Sequence, residues 1–242
     1  MTSGQPVVSE KSGRSPMRRT DSLAMVSVVI VQFLAFLVLL VCGATAGTVI
    51  PMAVVAVVAL VFLVLWPFRG GVADRVLGAA VGLASLLVAA AAMVSSGTPK
   101  SNDLSSLMIV RGWSAVSVWS VVVAVLLVAT VVVSFGRQMV RVSRAHLVRS
   151  LSHSITSAVA LIGAAGWLFL PDLMPWGTGG RKAFLLIVLV VVLVVASVLS
   201  CVWWADADPD PAARLPWVGV ALLPVLMTGY VVYLLVVLLP VL

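Results

Sequence analysis

Charge is what this chain has least of. Glutamate occurs once, at Glu10, while histidine and cysteine occur twice each, as His146, His153, Cys42 and Cys201. Only 10% of the 242 residues are charged, where soluble domains average about 25%. These absences are specific. No Asp, Glu, Lys, Arg or His falls in the middle of any apolar run, where proton-coupled carriers and pumps place such groups, so ion-coupled transport is disfavoured. Without paired carboxylates inside the runs, glutamyl metalloprotease chemistry is excluded. Two cysteines allow one disulfide at most, and Cys42 and Cys201 are predicted to lie at opposite membrane faces, which forbids it.

What is present is apolar surface. With 62% hydrophobic residues and a mean hydropathy of +1.23, the solvent for most of the chain has to be lipid. Seven runs have about the 20 apolar residues that cross a bilayer. They are Leu23 to Gly43, Val49 to Phe68, Val76 to Ser95, Ser114 to Phe135, Ile155 to Leu173, Ala183 to Trp204 and Leu215 to Leu239. The expected fold is therefore all-α, a polytopic bundle of about seven transmembrane helices forming one domain over residues 23–242. The third run relies on alanine rather than leucine, so it inserts with help from its neighbours. Residues 1–22 are polar and basic, which predicts a disordered tail. Ala44-Thr45-Ala46 looks like a cleavage site, but the preceding run is longer than a signal peptide's and reads as a retained anchor.

Cations fix the expected orientation, because they are held back on the cytoplasmic side of an inserting helix. With the tail inside, eleven lie in cytoplasmic segments: Lys11, Arg14, Arg18, Arg19, Arg69, Arg75, Arg137, Arg141, Arg144, Arg149 and Arg214. Only four, Lys100, Arg111, Arg181 and Lys182, lie outside. The densest internal group, Arg137, Arg141, Arg144 and Arg149, is assigned to topology and to anionic lipid headgroups. It extends the fourth helix and turns near Ser150 into the fifth. The net charge of +7 follows the same distribution, and nucleic acid is not an expected partner. Trp66, Trp203, Trp204 and Trp217 are expected at inner ends and Trp113 and Trp176 at outer ends, with Trp119 and Trp167 packed deeper.

Polar and small residues within the runs provide the candidate contacts. Gln32 is the most polar side chain in a span and needs a partner helix. Gly78, Gly82, Ser85 and Ala89 recur every three or four residues, a face that lets another helix approach closely. Gly163 and Gly166 make a weaker site of the same kind. In the last run Pro224 removes a backbone donor, and Thr228, Tyr230 and Tyr233 follow it, a set suited to solute or partner contact. Asp206, Asp208 and Asp210 share the cytoplasmic face with the arginine stretch and are placed to pair with it.

Two enzyme motifs are approached and missed. Gly112-Trp113-Ser114-Ala115 resembles the serine motif of rhomboid intramembrane proteases over four residues, but none of the last three runs carries the histidine base that such a serine needs. Ser143-Arg144 resembles the end of a lipid-phosphatase motif, with Ser150 standing where that motif requires histidine. His146 and His153, seven residues apart, would be about 10 Å apart on one helix face, too far to share a metal unaided. No catalytic, cofactor or metal residue is assigned. The chain reads as a multi-pass cell-envelope protein without evident catalysis, an accessory or assembly subunit of a membrane complex. The alternatives are a permease for a small uncharged or apolar solute and a lipid-modifying enzyme. Membrane lipid and other membrane subunits are the expected partners. Arginine-rich, lysine-poor composition points to the inner membrane of a GC-rich bacterium.

Overall fold

A computed structural model describes residues 19–45, 47, 49–66, 72–96, 115–140, 147–174, 180–206 and 215–239. Among them there is no strand. The helices are α1 (Arg19–Gly43), α2 (Val49–Val64), α3 (Val72–Ser96), α4 (Ala115–Val140), α5 (Leu147–Ala164), α6 (Gly180–Asp206) and α7 (Pro216–Leu238). α5 tightens into a 3₁₀ segment, Ala165–Phe169, and ends in one α-turn, Leu170–Leu173, so the three pieces form a single span.

Six of these spans are long and apolar enough to cross a membrane. The chain is an all-α, multi-pass membrane bundle. α2 is the short one: its 16 residues cover about 24 Å, less than the roughly 30 Å of hydrocarbon. Its run was expected to reach Phe68, but the helix gives way at Leu65 and Trp66.

Elsewhere helices outrun the hydropathy. α3 starts at Val72 and takes in Asp74 and Arg75; α4 continues past Phe135 to Val140; α5 starts at Leu147 and takes in His153. α1 likewise begins at Arg19, inside the expected tail. The reason is physical. Hydropathy stops at the first charge, whereas a helix goes on satisfying its backbone through the headgroup layer, where Arg, Asp and His are tolerated. The turn expected near Ser150 is not there, because α5 is already helical at Leu147; residues 141–146 lie outside the described residues.

Side-chain contacts establish an antiparallel alternation. At one end Asp74, opening α3, meets Arg137, closing α4, and Trp66, just after α2, lines a cleft with Asp74 and with His153 of α5. At the other end Gly43, closing α1, abuts Leu170 at the close of the fifth span, and Tyr233 near the end of α7 reaches the start of α4.

The hub is α5 with its 3₁₀ extension, 78% buried over its span, against 17% for α4 and 22% for α6. It is also the least apolar span, with a mean hydropathy of 1.6 against 3.2 for α6. That inversion is expected in lipid, which is as apolar as leucine, so the interior position goes to the helix that packs closest rather than to the oiliest. Ala158, Ala160, Ala164 and Ala165 are fully enclosed. α7 lies against this hub, and α1, α2, α3, α4 and α6 carry the exposed apolar faces of the perimeter.

Candidate functional site

The hydroxyls of the last span expected to make solute or partner contacts, on Thr228, Tyr230 and Tyr233, are each engaged within the bundle. One residue beyond Pro224, the Val225 carbonyl accepts the Trp167 indole N–H at 2.8 Å and the Thr228 hydroxyl at 2.7 Å. Tyr230 donates to the Val159 carbonyl of α5 at 2.9 Å, and Tyr233 to the Val116 carbonyl of α4 at 3.1 Å. Both tyrosines surround Trp119, whose ring centroid is 4.6 Å from Tyr233 and 5.4 Å from Phe169. Such pairs contribute about 0.5–1.5 kcal/mol each beyond area burial. The result is an aromatic knot that ties α4, α5 and α7 together. Trp119 and Trp167 are both buried core rings.

Ser85 extends the knot to α3. It accepts the Trp119 indole N–H at 3.2 Å and donates to the Ile162 carbonyl at 3.0 Å. That carbonyl lies three residues before the 3₁₀ segment, where the α-helical bonding pattern changes. On the same face of α3, a Cβ on Gly82 would lie 2.9 Å from Leu161 Cβ and one on Gly78 would lie 3.1 Å from Leu161 Cδ1. Ala89 is fully buried. The partner of this small-residue face is therefore α5 of the same chain.

A closer crossing joins the fifth span to α7. Cβ atoms on Gly166 or Gly229 would overlap the backbone of the facing helix, at the Gly229 and Gly163 carbonyls respectively, and one on Gly163 would overlap the Tyr230 ring. Sequence reasoning found Gly163 and Gly166 but missed Gly229. The signal was a glycine amid the β-branched and aromatic residues of Thr228 to Tyr233, a sequence in which only contact accounts for it.

Gln32 is fully buried on α1. Ser200 of α6 donates to its Oε1 at 2.9 Å and has the Ser197 carbonyl at 2.8 Å, while Gln32 Nε2 has no partner. A serine has one proton and serves one acceptor at a time. Turning the amide over would give two simultaneous bonds, Nε2 to Ser200 Oγ and Ser200 Oγ to the Ser197 carbonyl. As placed, Nε2 of this amide is unmatched in the interior.

The arginine group is only partly described. Arg141 and Arg144 lie outside the described residues, and Arg149 belongs to the first turn of α5. Arg137 is half-buried, with Nη1 2.8 Å from Asp74 Oδ1, whose side chain is 9% exposed. The pair suits both helix ends, since a carboxylate in the first turn of α3 and a cation in the last turn of α4 each complement the local macrodipole. Asp74 precedes the apolar run that begins at Val76, so hydropathy alone does not bring it into the helix. Trp66, expected at the headgroup level, is buried edge-on against Phe62 at 5.0 Å. Cys42 is a free, half-buried thiol. Asp208 and Asp210 lie outside the described residues, as does the Gly112 to Ser114 motif.

Comparison of the chain with protein-family profiles, with curated proteins and with solved structures finds no match in any of the three.

Proposed function

We propose that this chain is a non-catalytic accessory or assembly subunit of a membrane complex in the inner membrane of a GC-rich bacterium, with its amino terminus in the cytoplasm. One observation carries the reading. The hydroxyls and indoles that would serve a solute are bonded within this chain, to backbone carbonyls and, for Trp119, to Ser85 Oγ, whereas α4 and α6 present long valine- and leucine-rich faces outward. Val125, Val128 and Val132 of α4 are 60–64% exposed, and packing in lipid proceeds through such surfaces by shape. The eleven-to-four cation asymmetry supports the orientation.

The test is purification of the full chain in mild detergent, followed by identification of co-purifying membrane proteins and by cysteine crosslinking from Val128. A stoichiometric partner that crosslinks at Val128 supports the reading. A chain that remains alone and catalyses solute flux in proteoliposomes overturns it.

A permease for a small uncharged solute is the second reading, and the unmatched amide of Gln32 favours it, because a buried group lacking a partner in one state can gain one in another. Flux that disappears in Gln32→Met would establish that reading.

A further inference from the structure

An apolar groove of about 210 Å³ runs between α2 and α3, with α5 as its floor. Its walls are Ala59, Leu60 and Leu63 on one side and Gly82 and Leu86 on the other, with Leu161 beneath. Small residues make it: alanine on α2 and glycine on α3 leave a channel where larger side chains would close the seam. Leu60 and Leu83 flank its opening and are 60% and 57% exposed, so it faces the hydrocarbon rather than another helix of this chain.

At one end the groove changes character. Leu63 also lines a small cleft with Phe62 and Trp66, whose accessible lining is still apolar but at which Asp74, Arg75 and His153 bring in the first charged and titratable side chains. The cleft's free volume, about 10 Å³, is that of a single water. It is too small to admit a headgroup, and Arg75 is exposed at its rim. The Asp74 carboxylate is paired with Arg137, and among the described residues no carboxylate pairs with Arg75, a cation at the mouth of an apolar channel.

We infer that this groove holds one anionic phospholipid, an acyl chain lying between α2 and α3 and the phosphate against Arg75. Charge and shape both select that occupant. The apolar part is narrow and walled by aliphatic side chains, which fits a hydrocarbon tail, and the cation stands at the level where a lipid phosphate sits. The short α2 adds to the fit, because a helix shorter than the hydrocarbon draws headgroups inward towards its end. This inference uses α2, α3 and Arg75 and is independent of the assembly reading, which rests on α4 and α6.

The experiment is native mass spectrometry of the delipidated full chain in detergent, titrated with palmitoyl-oleoyl phosphatidylglycerol or with the phosphatidylcholine of the same chains. Wild type is expected to retain one phosphatidylglycerol, about fivefold more tightly than phosphatidylcholine, the preference one surface cation gives. Arg75→Gln should reduce phosphatidylglycerol to the phosphatidylcholine level. Ala59→Phe, which fills the channel, should weaken both lipids together. Leu60→Trp obstructs the opening from an exposed position, so it carries the steric arm if Ala59→Phe does not fold. Retention of phosphatidylglycerol unchanged in Arg75→Gln and Leu60→Trp would overturn the inference. So would disulfide-linked dimers formed in high yield through Leu60→Cys, since the groove would then belong to a second copy.

Discussion

Gly166 and Gly229 meet backbone to backbone, and the Gly229 carbonyl occupies the space in which a Cβ on Gly166 would stand. Nothing at that contact can rotate away, because the obstructing atoms are main chain on two packed helices. Gly166→Ala is expected to lower the thermal midpoint in detergent sharply, by ~3 kcal/mol or more of overpacking. Gly136→Ala is the control. That glycine is helical, exposed and has open space around it, so alanine should stabilise α4 by about 0.5–1 kcal/mol. Equal effects from the two substitutions would show that the crossing is loose.

Much of this architecture was legible in the sequence, for reasons that also explain what was not. Apolar length revealed the spans because every backbone group in lipid has to be bonded within its own helix. Small-residue spacing revealed the packing face of α3, but a face does not name its partner; only the fold shows that Gly82 meets Leu161. Span ends were hidden, since Asp74, Arg75 and His153 interrupt hydropathy without interrupting the helix. The knot was half visible: Tyr230 and Tyr233 stood out, whereas their joining through Trp119 and Phe169 depends on residues 50 to 114 positions apart.

The ion pair between Asp74 and Arg137 should respond asymmetrically to mutation. Arg137→Gln removes the guanidinium from a nearly buried carboxylate that keeps its other contacts, and is expected to cost ~1–2 kcal/mol, the worth of one charge-assisted bond. Asp74→Asn leaves an arginine that is 32% exposed and long enough to turn towards the headgroups. It should cost less, on the order of 1 kcal/mol or below. Combining the two should recover part of the Arg137→Gln loss, as measured by a double-mutant cycle of thermal midpoints. Strict additivity would mean that the two groups do not interact.

Gln32 makes an opposite case, in which deletion is tolerated. Gln32→Met keeps the shape of the side chain, removes the unmatched atom, and leaves the Ser200 hydroxyl free to bond to the Ser197 carbonyl. Its thermal midpoint should equal or exceed that of wild type. Ser200→Ala instead strands the whole amide in the interior and should cost ~1 kcal/mol. If the order is reversed, with Gln32→Met the more damaging, the amide has a partner beyond Ser200, and a role in solute or subunit contact gains weight.

Leu215 opens α7 in the left-handed region, at φ 49° and ψ 56°, directly before Pro216. For an L-residue with a branched side chain that conformation is strained, by about 1–2 kcal/mol, and a following proline narrows its options further. The side chain is 54% exposed, so little packing compensates. Leu215→Gly fits the observed backbone without the Cβ penalty, although glycine also gains freedom in the unfolded chain. The strain is the larger of the two terms, and a net rise of ~0.5–1 kcal/mol in stability is expected. Leu215→Val, with branching closer to the backbone, should lower it. Thermal melts of the three proteins in one detergent decide the matter: a loss in Leu215→Gly would mean that this leucine anchors the start of α7 through its side chain and is held in the left-handed region by that contact.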